Sequence, residues 1–379
     1  MDLHGWRRPL TNYQYWNGFP DARYGYGAMY AGFMGAIPST VKMHERASVR
    51  VEMQVPFAVK GYLEGQYKSL FTMWETDVLP DRFERWVPHY DQIIVPCQHN
   101  VELFSRYHDN VVMVPLGVDQ KVWYPVDREP NKRFRFHAGG SLWRRKGMDL
   151  VIEAFVKSGV DADLHLKVPP QAKDTPENLK LPPNVYIQRN FLPFHEVFQW
   201  YGLADCFLAP SRGEGFGLMP LQAMAMGIPT IITATSGQAE YAHIATTVIP
   251  HTSRRSDFVG NWDEADMDSL VQAIRDHYAN RDKYEIQALA NVPKVKEFSW
   301  AKAAKKLVSV LPEGEVLDGA AQFKPFACMM RITVNRNIDS TINTTTYKFR
   351  KGEEYVVREG VFEVLSNAGY IDSYRVEPL

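Results

Sequence analysis

A glutamate set in a glycine-rich corner is the residue of this sequence best suited to chemistry. The run Pro210-Ser211-Arg212-Gly213-Glu214-Gly215-Phe216-Gly217-Leu218 lies between a short apolar stretch and a helical one. Gly213, Gly215 and Gly217 permit backbone conformations closed to other residues and let a ligand approach the main chain. Pro220 falls near the first helical position, where a missing N–H costs nothing. Free N–H groups at such a helix start form a site for an anion or a polar hydroxyl, and Glu214 projects from the loop toward it. Packing alone would explain the glycines of a strand–loop–helix corner, but not the whole pattern from 210 to 229. A second segment places three adjacent cations, Arg144, Arg145 and Lys146, shortly after Gly139 and Gly140. Fixed positive charge of this kind stabilises negative charge developing on a departing group, although such a run alone also suits a solvated turn. A third segment, Trp74-Glu75-Thr76-Asp77, offers two carboxylates at a strand end. They can bind hydroxyls or cap the helix after Pro80.

These side chains need elements to hold them. From 133 to 236 strand and helix alternate, with strands expected at 133–138, 164–168, 185–188, 206–209 and 230–233. Helices are expected at 148–158, 195–204 and 220–226; in the first, Leu150, Ile152, Ala154 and Phe155 fall at helical spacing. Alternation of this kind predicts an α/β fold with a mainly parallel sheet covered on both faces. Such sheets bind ligands beyond the C-terminal ends of their strands, where the first two segments lie. The first third is less regular: strands at 70–73, 92–95 and 111–114 follow an opening rich in Tyr, Gly and Trp without clean periodicity. The polar stretch 125–131 reads as a hinge. A helix over 299–311 has Ser299 as its N-cap. Beyond Gly314 and Gly319 the character changes, with short strands at 331–334, 346–349 and 354–357 and a helix at 361–368. This is a small β-rich module of marginal size for independent stability.

Composition narrows the class. The 379 residues hold 43 Lys+Arg against 44 Asp+Glu, a formal charge of −1. That balance argues against a protein that coats nucleic acid or a membrane surface, while leaving room for a local basic stripe. At roughly 150 residues per domain the length implies about 2.5 domains. Cys97, Cys206 and Cys328 are widely spaced, which suits neither a disulfide framework nor a zinc site and fits a reducing cytoplasm. The N-terminus lacks the apolar core of a signal peptide. The longest apolar candidate for a membrane span, 221–234, is broken by Gln222, Gly227 and Pro229. His99, His137, His195 and His243 lack metal-ligand spacing, and Asp161 and Asp163 sit in a turn before a strand. Gly25 and Gly27 do not complete a dinucleotide-binding GxGxxG, because Tyr30 holds the third position. No metal and no cofactor are expected, the location is expected to be cytoplasmic, and the oligomeric state is left open.

The 210–229 pattern resembles the nucleotide-sugar loop of retaining glycosyltransferases with the GT-B fold, the glycogen-synthase-like family 4 group. That pattern carries a second glutamate on the helix; Glu214 matches the first, which contacts the donor sugar, and Gln222 stands where the second would hold ribose hydroxyls. Gln222 still hydrogen-bonds there, without charge. The 137–155 segment resembles the family's diphosphate clamp: Lys146-Gly147 aligns, Ser141 replaces the usual Arg, and Arg144 or Arg145 is left to reach the phosphate. The segments 74–80, 90–104 and 114–125 also resemble family members, with Cys97 where Ser is usual. The resemblance covers about 70–311. It implies two Rossmann-like domains facing across a cleft, an acceptor domain over 1–128 and a nucleotide-sugar domain over 129–298. A helix over 299–313 then packs back on the first, and an α+β module over 320–379 is appended. The implied catalytic set is Glu214, Lys146, Arg145 and Arg144, and the donor set is Gly139, Gly140, Ser141, Gly215, Phe216, Gly217, Leu218 and Gln222. The acceptor side is Glu75, Thr76, Asp77, Tyr24 and Gly25. The co-substrate is a UDP- or GDP-sugar, and transfer retains configuration without a metal. The tail is similar to small modules common in bacteriophage proteins. A phage-encoded enzyme acting in the host cytoplasm on a virion protein, a saccharide or a modified DNA base is the corresponding expectation. Ser141 and Gln222 motivate an alternative, a catalytically decayed sugar-nucleotide-binding scaffold.

Overall fold

The structure, a computed structural model, describes residues 12–18, 25–127, 131–140, 144–170, 181–325, 329–342 and 345–377. Two six-stranded sheets carry the fold. In spatial order the first holds Val41–Met43, Asn12–Gly18, Val49–Met53, Tyr67–Phe71, Gln92–Val95 and Val111–Met113, every neighbouring pair parallel. The second holds Val185–Gln188, Ala162–Lys167, Phe134–Gly139, Cys206–Ala209, Thr230–Thr233 and Thr247–Ile249, again all parallel. Gln92–Val95, Cys206–Ala209 and Thr230–Thr233 are buried along their whole length, as strands covered on both faces must be.

Numbered along the chain, the second sheet runs 3-2-1-4-5-6, the doubly wound order. Its direction of winding reverses between Phe134–Gly139 and Cys206–Ala209, which opens a crevice beyond the ends of those two strands. The loops that follow them are the cation segment and the Glu214 segment. Helix Met148–Ser158 starts from Gly147 and stops at Gly159, both with positive φ (70° and 67°). Gly147 has a second reason to lack a side chain, since a Cβ there would lie 2.2 Å from the carbonyl oxygen of Pro210. The two site loops therefore touch through this glycine.

The chain crosses between domains twice at one place. Val118 donates its N–H to the Phe298 carbonyl at 2.9 Å and bridges to Ser299. Helix Trp300–Val310, capped by Ser299, then lies on the first domain, with Trp300 5.4 Å from Phe33 between ring centroids. One apolar cluster runs unbroken through both domains, from Trp16, Phe33 and Phe71 to Phe207, Phe216 and Leu221. Each such side chain contributes about 1.5–3 kcal/mol by burial.

Beyond 320 the chain stays on the first domain. Strand Phe323–Pro325 pairs antiparallel with Gly61–Leu63. Met329–Val334 forms the centre of a three-stranded antiparallel sheet with Glu354–Arg358 and Ile371–Glu377. Helix Glu359–Asn367 covers that sheet, and a hairpin pairs Ile338–Ile342 with Thr345–Phe349. The module is anchored by Glu359, which is buried against Arg85 at 3.2 Å and accepts Trp86 Nε1–H at 2.7 Å.

Several elements differ from expectation. The helix after the glycine loop runs Leu218–Ala225, starting two residues earlier than 220, because Gly217 takes a φ of 89° and turns the chain into it. Pro220 is thus its third residue, still inside the first turn where N–H groups have no helical acceptor. Strands Asn12–Gly18, Val41–Met43 and Val49–Met53 had no clear signal. In the first of these the buried pair is Gln14 and Trp16, and Gln14 tolerates burial by accepting Trp16 Nε1–H at 2.8 Å. A hairpin, His251–Arg255 with Asn261–Ala265, was likewise not foreseen.

Candidate functional site

Glu214 is 4% exposed and held from four directions. Lys146 Nζ lies 2.5 Å from Oε1 and 2.6 Å from Oε2. Arg145 Nη1 approaches Oε2 at 3.5 Å, and Ser211 Oγ donates to Oε1 at 2.9 Å. Behind it, the backbone N–H donates to Ser236 Oγ at 2.7 Å. Ser236 is the non-glycine residue with positive φ (44°) among those described, a strained conformation that its bond to the Glu214 N–H helps to hold. Burial pushes the Glu214 carboxyl upward, but Lys146 and Arg145 outweigh it and keep the pKa below the ordinary value. For Lys146 burial is the larger effect, lowering the ammonium pKa against the pull of Glu214.

Arg145 joins the two domains. Its Nη1 donates to the Gly213 carbonyl at 2.6 Å and lies 3.5 Å from Glu75 Oε1 on the first domain. Glycine is required where the domains meet: a Cβ on Gly213 would sit 2.3 Å from the Glu75 carbonyl oxygen, and one on Gly215 would sit 2.3 Å from Met73 Sδ. Cys97 Sγ donates to the Gly215 carbonyl at 3.3 Å. The Glu214 loop is thus pressed against the end of the first domain's Tyr67–Phe71 strand.

Other candidates separate by environment. Arg144 is exposed and pairs with Asp257 at 3.0 Å, so the first of the three cations belongs to the rim. Gly139 and Gly140 form the floor beside the cation loop. A Cβ on Gly139 would meet Met219 Cε at 2.6 Å, and one on Gly140 would meet Lys146 Cγ at 2.4 Å. Phe216 points into the core against Tyr241 and Phe298, leaving its backbone to the loop. Leu218 opens the helix after the glycine loop, and Gln222, one turn on, accepts Tyr201 Oη–H at 3.2 Å. Thr76 is buried, accepting Trp74 Nε1–H at 2.7 Å and donating to the Val78 carbonyl at 3.0 Å. Asp77 is engaged by Asn261 of the second domain. Gly25 starts the first helix with open space around its α-carbon. Ser141 and Tyr24 lie outside the described residues. Asp161 and Asp163 both pair with Arg133, at 2.6 and 3.3 Å.

Arg212 was not singled out in the sequence. It is 2% exposed, binds Asp149 at 2.7 and 2.8 Å and Glu264 at 2.9 Å, and donates to the Arg144 carbonyl. It therefore ties the cation loop, the Glu214 loop and the 251–265 hairpin together, in the fork geometry for which arginine is suited. Its only sequence signal was its place inside the glycine loop.

Residues 133–280 match the family described as Glycosyl transferases group 1. Among solved structures, the HepE protein of Anabaena in complex with UDP and glucose superposes with a TM-score of 0.58. It is 10% identical, and the match covers 79% of this chain and 98% of that one. The fold is GT-B. Among curated proteins with sequence similarity, an alpha-maltose-1-phosphate synthase of Mycolicibacterium smegmatis is 25% identical over 226 residues, 53% of this chain and 56% of its own. A D-inositol 3-phosphate glycosyltransferase of Corynebacterium aurimucosum is 27% identical over 255 residues, 60% of this chain and 58% of its own. The chain spans a little over half the length of these curated relatives. In GT-B terms, the family match falls on the second Rossmann-like domain, which holds Lys146, Arg145 and Glu214.

Proposed function

We propose that this chain transfers a sugar from a nucleoside-diphosphate sugar, a UDP- or GDP-sugar, to an acceptor hydroxyl with retention of anomeric configuration and without a metal. The observation that carries the reading is the Lys146–Arg145–Glu214 cluster at the reversal point of the second sheet. Lys146 and Arg145 meet the departing diphosphate, whose developing charge is the main demand on the site. Glu214 turns from its ion pair to the hydroxyls of the donor sugar, and Gln222 bonds the ribose. The bond from the anomeric carbon to the diphosphate breaks as the bond to the acceptor oxygen forms on the same face, and the acceptor proton passes to the leaving phosphate. This route asks the protein for position and charge rather than a nucleophile. Glu75 orients the acceptor from the first domain. The UDP and glucose of the HepE complex support the donor class, and the glycosyltransferase name of the Corynebacterium aurimucosum relative supports sugar transfer.

The acceptor we favour is a hydroxyl of a saccharide or of a phage virion protein, met in the host cytoplasm; the neutral charge balance of the chain weighs against a modified DNA base. Intact-mass measurement of candidate acceptors after incubation with a panel of UDP- and GDP-sugars tests both halves. A sugar-sized mass gain on protein or saccharide, lost in Glu214→Ala, is expected; a gain on DNA alone replaces the acceptor. The uncharged Gln222 favours a second reading, a sugar-nucleotide-binding scaffold. Tight donor binding with no hydrolysis or transfer under any acceptor would select it.

A further inference from the structure

The four charged groups at the centre of the site cancel. Lys146 and Arg145 are matched by Glu214 and Glu75. A nucleoside diphosphate adds net negative charge, which needs a cation that no carboxylate has already taken. Arg144 is paired with Asp257, and Arg212 is enclosed by Asp149 and Glu264. Position 141, directly after the glycine floor, is a serine.

The neighbouring strand end carries a further lysine. Lys167 closes Ala162–Lys167 and is in parallel register with Gly139, so both residues address the same sheet face. A Cβ on Gly139 would lie 3.6 Å from that of Lys167, on the side where Met219 of the donor helix packs. The Lys167 carbonyl accepts the Gly140 N–H at 3.1 Å. Lys146 runs over Gly140 and Lys167 stands beside Gly139, so two lysine stems flank one glycine pair. Lys167 is half-buried, and burial alone lowers its ammonium pKa, with no carboxylate contributing. Among the described residues no carboxylate pairs with this cation.

We propose that Lys167 is a donor-binding residue, holding the diphosphate of the nucleotide sugar together with Lys146 across the Gly139–Gly140 floor. This rests on the reading of the site as one for nucleoside-diphosphate sugars. The test is calorimetric binding of UDP, GDP, uridine and guanosine to the full chain and to Lys167→Met, Lys167→Arg and Lys146→Met, with thermal unfolding as a control on folding. Lys167→Met is expected to weaken the preferred nucleoside diphosphate about tenfold, the scale of one charge-assisted hydrogen bond. It should leave the nucleoside unchanged and flatten the salt dependence of binding, while Lys167→Arg retains most of the affinity. Unchanged diphosphate binding in Lys167→Met beside a loss in Lys146→Met overturns the proposal and leaves the donor site standing. An equal loss for nucleoside and diphosphate also overturns it, since the lysine would then act through packing. If the unaltered protein binds neither diphosphate, the donor-site reading itself falls.

Discussion

Asn261, on a hairpin of the second domain, encloses the carboxylate of Asp77 on the first. Its backbone N–H donates to Oδ1 at 2.6 Å, its side-chain amide donates to Oδ2 at 2.9 Å, and its carbonyl accepts the Asp77 N–H at 3.2 Å. Burial works against the charge on Asp77, but these bonds prevail and lower its pKa. Gly260 beside it has a φ of 72° and no room for a Cβ, which would sit 2.3 Å from Asp77 Oδ1.

This contact is one of those that tie the two domains together. Asp77→Ala and Asn261→Ala are each expected to weaken domain closure by about 1–3 kcal/mol, as for a lost hydrogen bond to a charged group. Both should raise the radius of gyration measured by small-angle scattering and lower transfer to a similar degree. A loss of transfer confined to Asp77→Ala would mean that the carboxylate meets the acceptor directly.

Glu214→Gln leaves Lys146 and Arg145 buried beside a neutral group. Breaking a buried pair from one side costs about 3–5 kcal/mol. The urea midpoint should fall accordingly, with transfer abolished. Full activity in this variant would remove Glu214 from the reaction.

Stability should also depend on His277, which is buried, donates Nδ1–H to the Ala273 carbonyl at 2.9 Å and stacks on Tyr284. Burial lowers its pKa from 6.5 to about 4. Between those values the unfolded chain takes up a proton that the folded chain refuses. The stabilisation is therefore complete above the unfolded pKa and is lost as pH falls toward about 4, a change on the order of 3 kcal/mol. Urea titrations at pH 7 and pH 5 should show a smaller drop for His277→Gln than for the unaltered protein.

Removing the charge of the tail's anchor should release the tail. Glu359 is buried between Arg85 and Trp86, with Arg82 at 3.5 Å. Glu359→Gln removes the nearer carboxylate from the buried Arg85 guanidinium and leaves Glu363 at 3.8 Å, at a cost of about 3 kcal/mol. Limited proteolysis should cut between 312 and 328 faster than in the unaltered chain, while the donor domain keeps its nucleotide affinity.

The second domain was legible because short strands rich in apolar and β-branched residues alternate with amphipathic helices. Val185–Gln188, Cys206–Ala209, Thr230–Thr233 and Met148–Ser158 have the bounds that periodicity gave them. In the first sheet Gln14 and Glu52 are buried polar residues, Gln14 satisfied by its near neighbours Asn12 and Trp16 and Glu52 by Asn17 on the adjacent strand, so alternation there does not follow hydrophobicity. Glu214 and Lys146 could be found from type and spacing. Arg212, Asn261 and Lys167 could not, because each acts on a residue distant in sequence. Arg144 and Arg145 are adjacent in sequence, and only the fold shows that one faces the rim and the other the cluster.

The chain finishes its first domain last. The Tyr13 N–H waits for the Gly314 carbonyl, the face carrying Phe33 waits for Trp300, and Gly61–Leu63 waits for Phe323–Pro325. The strands of the second sheet, by contrast, all lie between 134 and 249. During synthesis the second domain therefore has its complete sheet available while the earlier half still exposes apolar surface, the condition that makes intermediates prone to aggregate. A ribosome that stops before residue 300 leaves its oldest product, not its newest, unfinished.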